Sequence, residues 1–254
     1  MPNLLLTTWH TLTRWSSHLL DLLYPRDCTF CHQPAGEEGY ICQDCLERLS
    51  LHRNPSCIRC GAESALPEGN DFTCSECLQQ PPAFERVFIV ARYDNAFRDL
   101  IQTFKYRKGI WLTKDLVRYL VATYQLRIAE AGIAIDLLVP VPMQARKLRA
   151  RGYNQAALLA EALAREIHLP CNTRALKRVR TGTLSQTRLH RSERLANAKA
   201  AYRAARTKGL EGKTILLIDD VVTTGATSNA CATLLRQAGA KAVYVLALAR
   251  PFHP

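Results

Sequence analysis

Short unbroken apolar runs alternate along the chain with stretches whose apolar positions recur every three to four residues, as strands and helices require. Leu4, Trp9, Leu12, Trp15, Leu19, Leu22 and Leu23 mark the first periodic stretch. They predict an amphipathic helix over residues 1–24 that packs on the body of the protein. Attachment to a membrane surface is the lesser reading, because the polar face carries few basic residues. No run approaches the roughly 20 apolar residues of a membrane span, and no basic segment precedes the leucines as in an export signal. A cytoplasmic protein is the expectation.

From 25 to 80 apolar residues thin out, and Gln79-Gln-Pro-Pro82 closes that region. Arg86-Val-Phe-Ile-Val-Ala-Arg-Tyr93 then alternates into a strand, followed by a helix from Ala96 to Phe104. The basic, aromatic stretch Phe104-Lys-Tyr-Arg-Lys-Gly109 leads to a long helix from about Ile110 to Ala131. Ile135–Pro142 reads as a buried strand that its two prolines force out of the sheet. A very basic turn (Arg146, Lys147, Arg149, Arg151) precedes Gly152-Tyr-Asn-Gln155 and a helix to about Ile167. Residues 176–186 and a basic segment through 198 are too polar to bury, and predict a mobile surface loop that acts as a lid. Ile215–Ile218 is a second buried strand, a helix with Ala230, Leu234 and Leu235 ends at Gly239, and Ala242–Ala249 closes the sheet. The divisions expected are a helix over 1–24, a cysteine module over 25–80 and an α/β domain over 84–254.

Composition changes this picture at one place. Of ten cysteines among 254 residues, eight form four C-x-x-C pairs: Cys28/Cys31, Cys42/Cys45, Cys57/Cys60 and Cys74/Cys77. Each pair presents two thiolates to one tetrahedral ion, and two pairs complete a four-sulfur site. Two structural zinc ions are therefore expected, replacing the core that so polar a segment cannot build. Sequential pairing gives two zinc ribbons and interleaved pairing a cross-braced module; spacing alone leaves both open. Cys171 and Cys231 read as core thiols, and His32 as a bystander.

The candidate chemistry gathers after Ile215–Ile218. Two carboxylates, Asp219 and Asp220, stand there, followed by Val221, Val222, Thr223, Thr224, Gly225, Ala226 and Thr227 at a helix start. Unpaired N–H groups and the helix dipole suit a phosphate at 223–227. Acids beside a phosphate must face something else, and vicinal hydroxyls of a ribose 5-phosphate satisfy both. The stretch resembles the phosphoribosyl pyrophosphate (PRPP) motif of type I phosphoribosyltransferases. In an open α/β sheet the basic turn with Arg149 and Arg151 shares that rim. A net charge of +12 favours a polyanion, whether nucleic acid, PRPP or an acidic partner.

The order of motifs is more specific. Leu-Leu-Asp-Leu-Leu-Tyr-Pro25, the paired cysteines, Phe104–Gly109, Pro140-Val-Pro142, Arg151-Gly-Tyr-Asn-Gln155, Arg178 with Gln186, Arg194-x-x-Asn197 and Ile218–Thr227 follow one another. In this the chain resembles the ComF family over nearly its whole length. The resemblance implies a type I phosphoribosyltransferase-like parallel sheet with helices on both faces, preceded by a small cysteine-rich zinc-ribbon module. It implies PRPP binding with magnesium on the pyrophosphate, Asp219 and Asp220 holding the ribose, and Thr223–Thr227 the phosphate. Lys105, Arg149, Arg151, Arg178, Gln186 and Arg194 are the candidates for the leaving pyrophosphate. A role in uptake or use of external DNA follows from the same resemblance. Glutamine-dependent amination is not expected, since Met1-Pro2 offers no N-terminal cysteine. The alternative is a non-catalytic adaptor for single-stranded DNA or DNA-uptake proteins.

Overall fold

The computed structural model describes residues 26–35, 39–47, 55–64, 69–179 and 201–252. The predicted helix over 1–24 lies outside these residues, and so does the expected loop from 180 to 198; its first residues, Leu176–Arg178, are instead a strand with Leu176 buried, because pairing with Tyr202–Ala204 satisfies their backbone. The chain forms two compact units, 1–48 and 49–254. Residues 55–78 thus share a unit with the α/β domain.

That domain contains β1 (Val87–Arg92), α1 (Asn95–Tyr106), α2 (Thr113–Tyr124) and β2 (Leu137–Pro140). There follow α3 (Ala145–Arg151), α4 (Gln155–Glu166), β3 (Leu176–Arg178), β4 (Tyr202–Ala204), β5 (Thr214–Val221), α5 (Ala226–Gln237) and β6 (Ala242–Arg250). Four strands pair in parallel in the order β1-β6-β5-β2, while β3 and β4 form a separate antiparallel pair. The register sets Ile218 beside Pro140 and Leu246, and Asp219 beside Ala247.

Ile215, Leu216, Leu217 and Ile218 are all fully buried, which explains an unbroken apolar run where a one-sided sheet would alternate. Ile215 and Leu217 join Val243, Val245, Ala230 and Leu235 in one cluster on the α5 side. Leu216 and Ile218 alternate to the opposite face, where α2 and α4 pack against each other and the sheet. Each such side chain contributes about 1.5–3 kcal/mol of burial.

Local chemistry sets the joints. Asp94 caps α1 by accepting from Phe97 N–H (3.4 Å), and Asn154 caps α4 by accepting from Ala156 N–H (3.2 Å). A Cβ at residue 109 would lie 2.7 Å from the Thr103 carbonyl oxygen, so only glycine closes the turn after α1. The single helix expected from Ile110 to Ala131 is a 3-10 turn (Gly109–Leu112), then α2, then a π turn (Gln125–Ala129). The wider turn buries Ile128 while Arg127 reaches back to the Ile89 carbonyl (3.3 Å). The basic turn expected at 146–151 is the helix α3. Ala, Arg, Lys and Leu all favour that state, and Gly152 at φ 89° ends it.

The two cysteine clusters repeat one local design. His32 N–H bonds to the Cys28 carbonyl (2.9 Å), and Gly61 N–H to the Cys57 carbonyl (2.8 Å). In each cluster the second pair opens a short helical turn, Gln43–Glu47 or Ser75–Gln79. The second cluster also lies against edge strand β1, where Val87 N–H bonds to the Arg59 carbonyl (2.9 Å). Arg250 donates to the Cys60 carbonyl (2.9 Å), and Arg92 pairs with Glu63 (2.5 Å).

Candidate functional site

The carboxyl ends of β5 and β2 form one wall of a cleft. Asp219 Oδ1 accepts the Asp220 N–H (2.9 Å) and Asp220 Oδ1 accepts the Val221 N–H (2.8 Å), so the backbone orients both carboxylates. The end of α1 brings Lys105 Nζ to 2.9 Å from Asp220 Oδ2. Desolvation, then the charge of Asp220, pushes the Asp219 carboxyl well above its usual range, against the Asp220 N–H and Lys105. The pair thus offers several acceptor oxygens in a small space, suited to hydroxyl donors or a cationic centre.

The strand leaves the sheet at Val222, whose N–H still bonds to the Ala249 carbonyl (3.0 Å). Gly225 then takes φ 76°, a left-handed conformation that side chains resist, and α5 starts beyond it. Space is not what demands glycine there, since a Cβ would meet only Phe84 Cζ at 3.8 Å. Ala226 N–H turns to Thr224 Oγ1 (3.4 Å). Among the described residues the N–H groups of Thr223, Thr224, Gly225 and Thr227 take no hydrogen bond. Four donors at the positive end of a helix are what an anion requires.

The opposite wall is basic and aromatic. Lys105, Tyr106, Lys147, Arg151, Asn154, Gln155, Arg178 and Tyr202 line the cleft together with Asp219, Asp220 and Thr227. The Arg151 guanidinium stacks 4.7 Å from the Tyr106 ring centre and donates to Gln155 Oε1 (2.5 Å). Arg178 lies 5.3 Å from the Tyr202 ring centre. Gln155 is 1% exposed, and its Nε2 makes no hydrogen bond among the described residues.

The structure therefore gathers Lys105, Arg151, Arg178, the acid pair and Thr227. Arg149 sits exposed on α3, away from the cleft lining, because seven residues of helix cannot all face one way. Gln186 and Arg194 lie outside the described residues. Sequence reasoning passed over Gln155 and Asn154 as site residues, although a basic stretch ending in an N-capped helix start was visible. Tyr202 carried no signal, since β4 reaches the cleft only through its pairing with β3.

The cysteines pair sequentially. The sulfurs of Cys28, Cys31, Cys42 and Cys45 lie within 4.8 Å of one another, as do those of Cys57, Cys60, Cys74 and Cys77. Tetrahedral zinc with Zn–S bonds of about 2.3 Å places sulfurs about 3.8 Å apart. Cys60 and Cys74 stand at 3.8 Å and Cys31 and Cys42 at 3.5 Å, so both sets fit the ion. Crowding alone cannot ionise all four sulfurs of a set. The Cys60 thiol hydrogen-bonds Cys57 and holds it down at about 4, while Cys60 itself is pushed far up by the same bond and by burial. A bound cation removes that conflict.

Residues 19–78 match the double zinc ribbon domain and residues 154–252 the phosphoribosyl transferase domain. Competence protein F of Haemophilus influenzae is 33% identical over 83% of this chain and 90% of its own length. DNA utilization protein YhgH of Escherichia coli K12 is 33% identical over 90% and 99%, and competence protein ComFC of Bacillus subtilis 26% over 87% and 88%. A parallel sheet with an acid pair and open amides at its rim, two four-cysteine clusters and this identity lead to one conclusion: the chain belongs to the ComF family of phosphoribosyltransferase-fold proteins.

Proposed function

We propose that the cleft binds PRPP and transfers its phosphoribosyl group to a nitrogen nucleophile, in a role tied to uptake or utilisation of external DNA. The observation that carries this reading is the acid pair standing beside four unbonded loop amides on one wall. The 5-phosphate takes the amides of Thr223, Thr224, Gly225 and Thr227, and the ribose hydroxyls donate to Asp219 and Asp220. As pyrophosphate leaves, positive charge grows at the sugar, and the two carboxylates stabilise it in a site partly withdrawn from water. Lys105 moves from Asp220 toward the departing oxygens, where Arg151 and Arg178 add charge. Gln155 supplies a donor that has no partner among the described residues, and a ligand oxygen would satisfy it. Magnesium, arriving with PRPP, would supply charge neutralisation for the leaving pyrophosphate, which Lys105, Arg151 and Arg178 would share. The DNA-related role is supported by the names of the relatives.

Calorimetry with PRPP and magnesium tests the site. Wild type binds, and the double variant Asp219→Asn, Asp220→Asn loses about 100-fold or more, two charge-assisted contacts being removed. Equal binding by both proteins, or none by either, sinks the proposal.

A second reading, in which the cleft's basic rim receives single-stranded DNA, is favoured by one feature. Tyr106 is 71% exposed under Arg151, beside a helix whose Arg146, Lys147 and Arg149 all face solvent. Affinity for a labelled oligonucleotide then falls steeply with salt, as counterion release demands. A flat salt dependence removes this reading and leaves the first standing. Both activities fit one protein.

A further inference from the structure

The segment joining the second cysteine cluster to β1 runs beneath the phosphate loop, and its contacts go both ways. On one side Arg59, inside the Cys57-x-x-Cys60 knuckle, donates to the Glu85 carbonyl (2.9 Å) and pairs with the Glu85 carboxylate (3.1 Å). On the other side Ala83 N–H donates to Asn229 Oδ1 in the first turn of α5 (2.7 Å). Phe84, 2% exposed, places its ring edge 3.8 Å from where a Gly225 Cβ would be. Asn229 closes the loop in turn, through its own N–H to the Gly225 carbonyl (2.8 Å).

We propose that the second cysteine knuckle positions the phosphate loop through Arg59, the segment Ala83–Glu85 and Asn229, so that zinc in that cluster tunes affinity for a phosphorylated ribose. The affinity clause rests on the proposed function; the mechanical link does not. The loop's φ 76° turn leaves its amides aimed by what lies beneath, and a floor that shifts changes their convergence. Zinc fixes the knuckle, the knuckle fixes Arg59, and Arg59 fixes the floor. Arg59, Ala83, Phe84 and Asn229 are positioning residues; none lines the cleft.

The test is a double-mutant cycle with Arg59→Ala and Asn229→Ala; neither replaces a cysteine, and alanine at 59 keeps the backbone N–H that bonds to the Cys57 sulfur. Glu85 N–H remains bonded to the Val243 carbonyl (2.7 Å), which keeps the segment on the sheet in both variants. Ribose 5-phosphate affinity should fall about three- to tenfold in each, as loss of one hydrogen bond implies, and by clearly less than the product in the double variant. Zinc content should stay at wild-type level throughout. Unchanged affinity in Asn229→Ala, or strictly multiplicative losses, overturns the proposal. The Gly225 amide signal in a nitrogen–proton correlation spectrum gives a readout that needs no ligand. It should shift in Arg59→Ala and on zinc removal by a chelator. Should wild type bind no ribose 5-phosphate, the proposed function and the affinity clause fall together. The amide signal then decides the mechanical link: a shift supports it, and a fixed signal ends it.

Discussion

The two cysteine clusters share a spacing, a turn and a sulfur geometry, yet they differ in what surrounds them. In the first, the Cys28 N–H bonds to Gln33 and the Thr29 N–H to Tyr40, and the cluster belongs to the smaller compact unit. In the second, Cys57 N–H bonds to Ala62 in the same manner, but Arg59, Cys60 and Glu63 also bond to β1, β6 and the segment before them. Gly61 packs so closely that a Cβ there would stand 3.2 Å from Ile89. The same ribbon serves in one place as a module and in the other as the cover of a sheet edge, which an exposed β1 would need anyway. Motif identity therefore says nothing about how far the loss of a metal reaches.

The largest expected difference comes from removing one ligand in each cluster. Cys57→Ser and Cys28→Ser should each lower bound zinc from two ions to one by elemental analysis. Cys57→Ser should also lower the melting temperature of the α/β unit by about 10 °C or more, since metal-binding energy there is folding energy for the covered edge. Cys28→Ser should move that same transition by less than about 1 °C. Calorimetric scans of the two variants decide it; equal shifts would break the comparison. A smaller effect sharpens it. Arg250→Ala removes the donor to the Cys60 carbonyl while keeping every sulfur, and should cost about 1–2 kcal/mol of the α/β unit, a shift of roughly 2–8 °C. Its zinc should leave the second cluster faster in chelator and leave the first at the wild-type rate. Equal acceleration in both clusters would mean that Arg250 acts on something other than this joint.

Much of this was legible in sequence because the determining interactions are local. Eight cysteines in four C-x-x-C turns specify two metal sites whatever the rest of the chain does, and Ile215–Thr227 carries strand, acids, turn and helix start in thirteen consecutive residues. The pairing of the turns was not legible. It depends on how Phe72 returns beside Cys57 and Tyr40 beside Thr29, contacts between residues far apart in sequence. The helix α3 was mistaken for a turn because its apolar stripe is missing: only Leu148 interrupts its basic and alanine residues, so period gave no signal where propensity did. The floor beneath the 223–227 loop was invisible for a similar reason. Asn229 looks like any polar residue on a helix until Ala83, 146 positions away, is brought against it.

The smallest effect is a control that moves the α/β unit while leaving both clusters alone. Asp219 is held well above the usual carboxylate range, first by desolvation and then by Asp220. For a carboxyl raised on folding, the stability it contributes is full below the unfolded pKa, about 3.9, and is lost as pH rises through the folded value. At neutral pH Asp219 is therefore a burden on the empty site, because the unfolded chain ionises it freely and the folded site resists that charge. Asparagine keeps Oδ1 as acceptor for the Asp220 N–H (2.9 Å in the native protein) and removes the charge. Asp219→Asn should raise the melting temperature at pH 7 by about 2–4 °C, as one kcal/mol implies for a unit of this size, and the gain should vanish below about pH 4. Zinc content should stay at two ions, and PRPP binding should be lost with the carboxylate. That combination marks a residue kept for function at the expense of stability. Melting curves of both proteins between pH 3 and 8 settle the matter. A lower melting point at pH 7, or a gain that persists unchanged in acid, would show that Asp219 is a structural residue whose charge the fold needs.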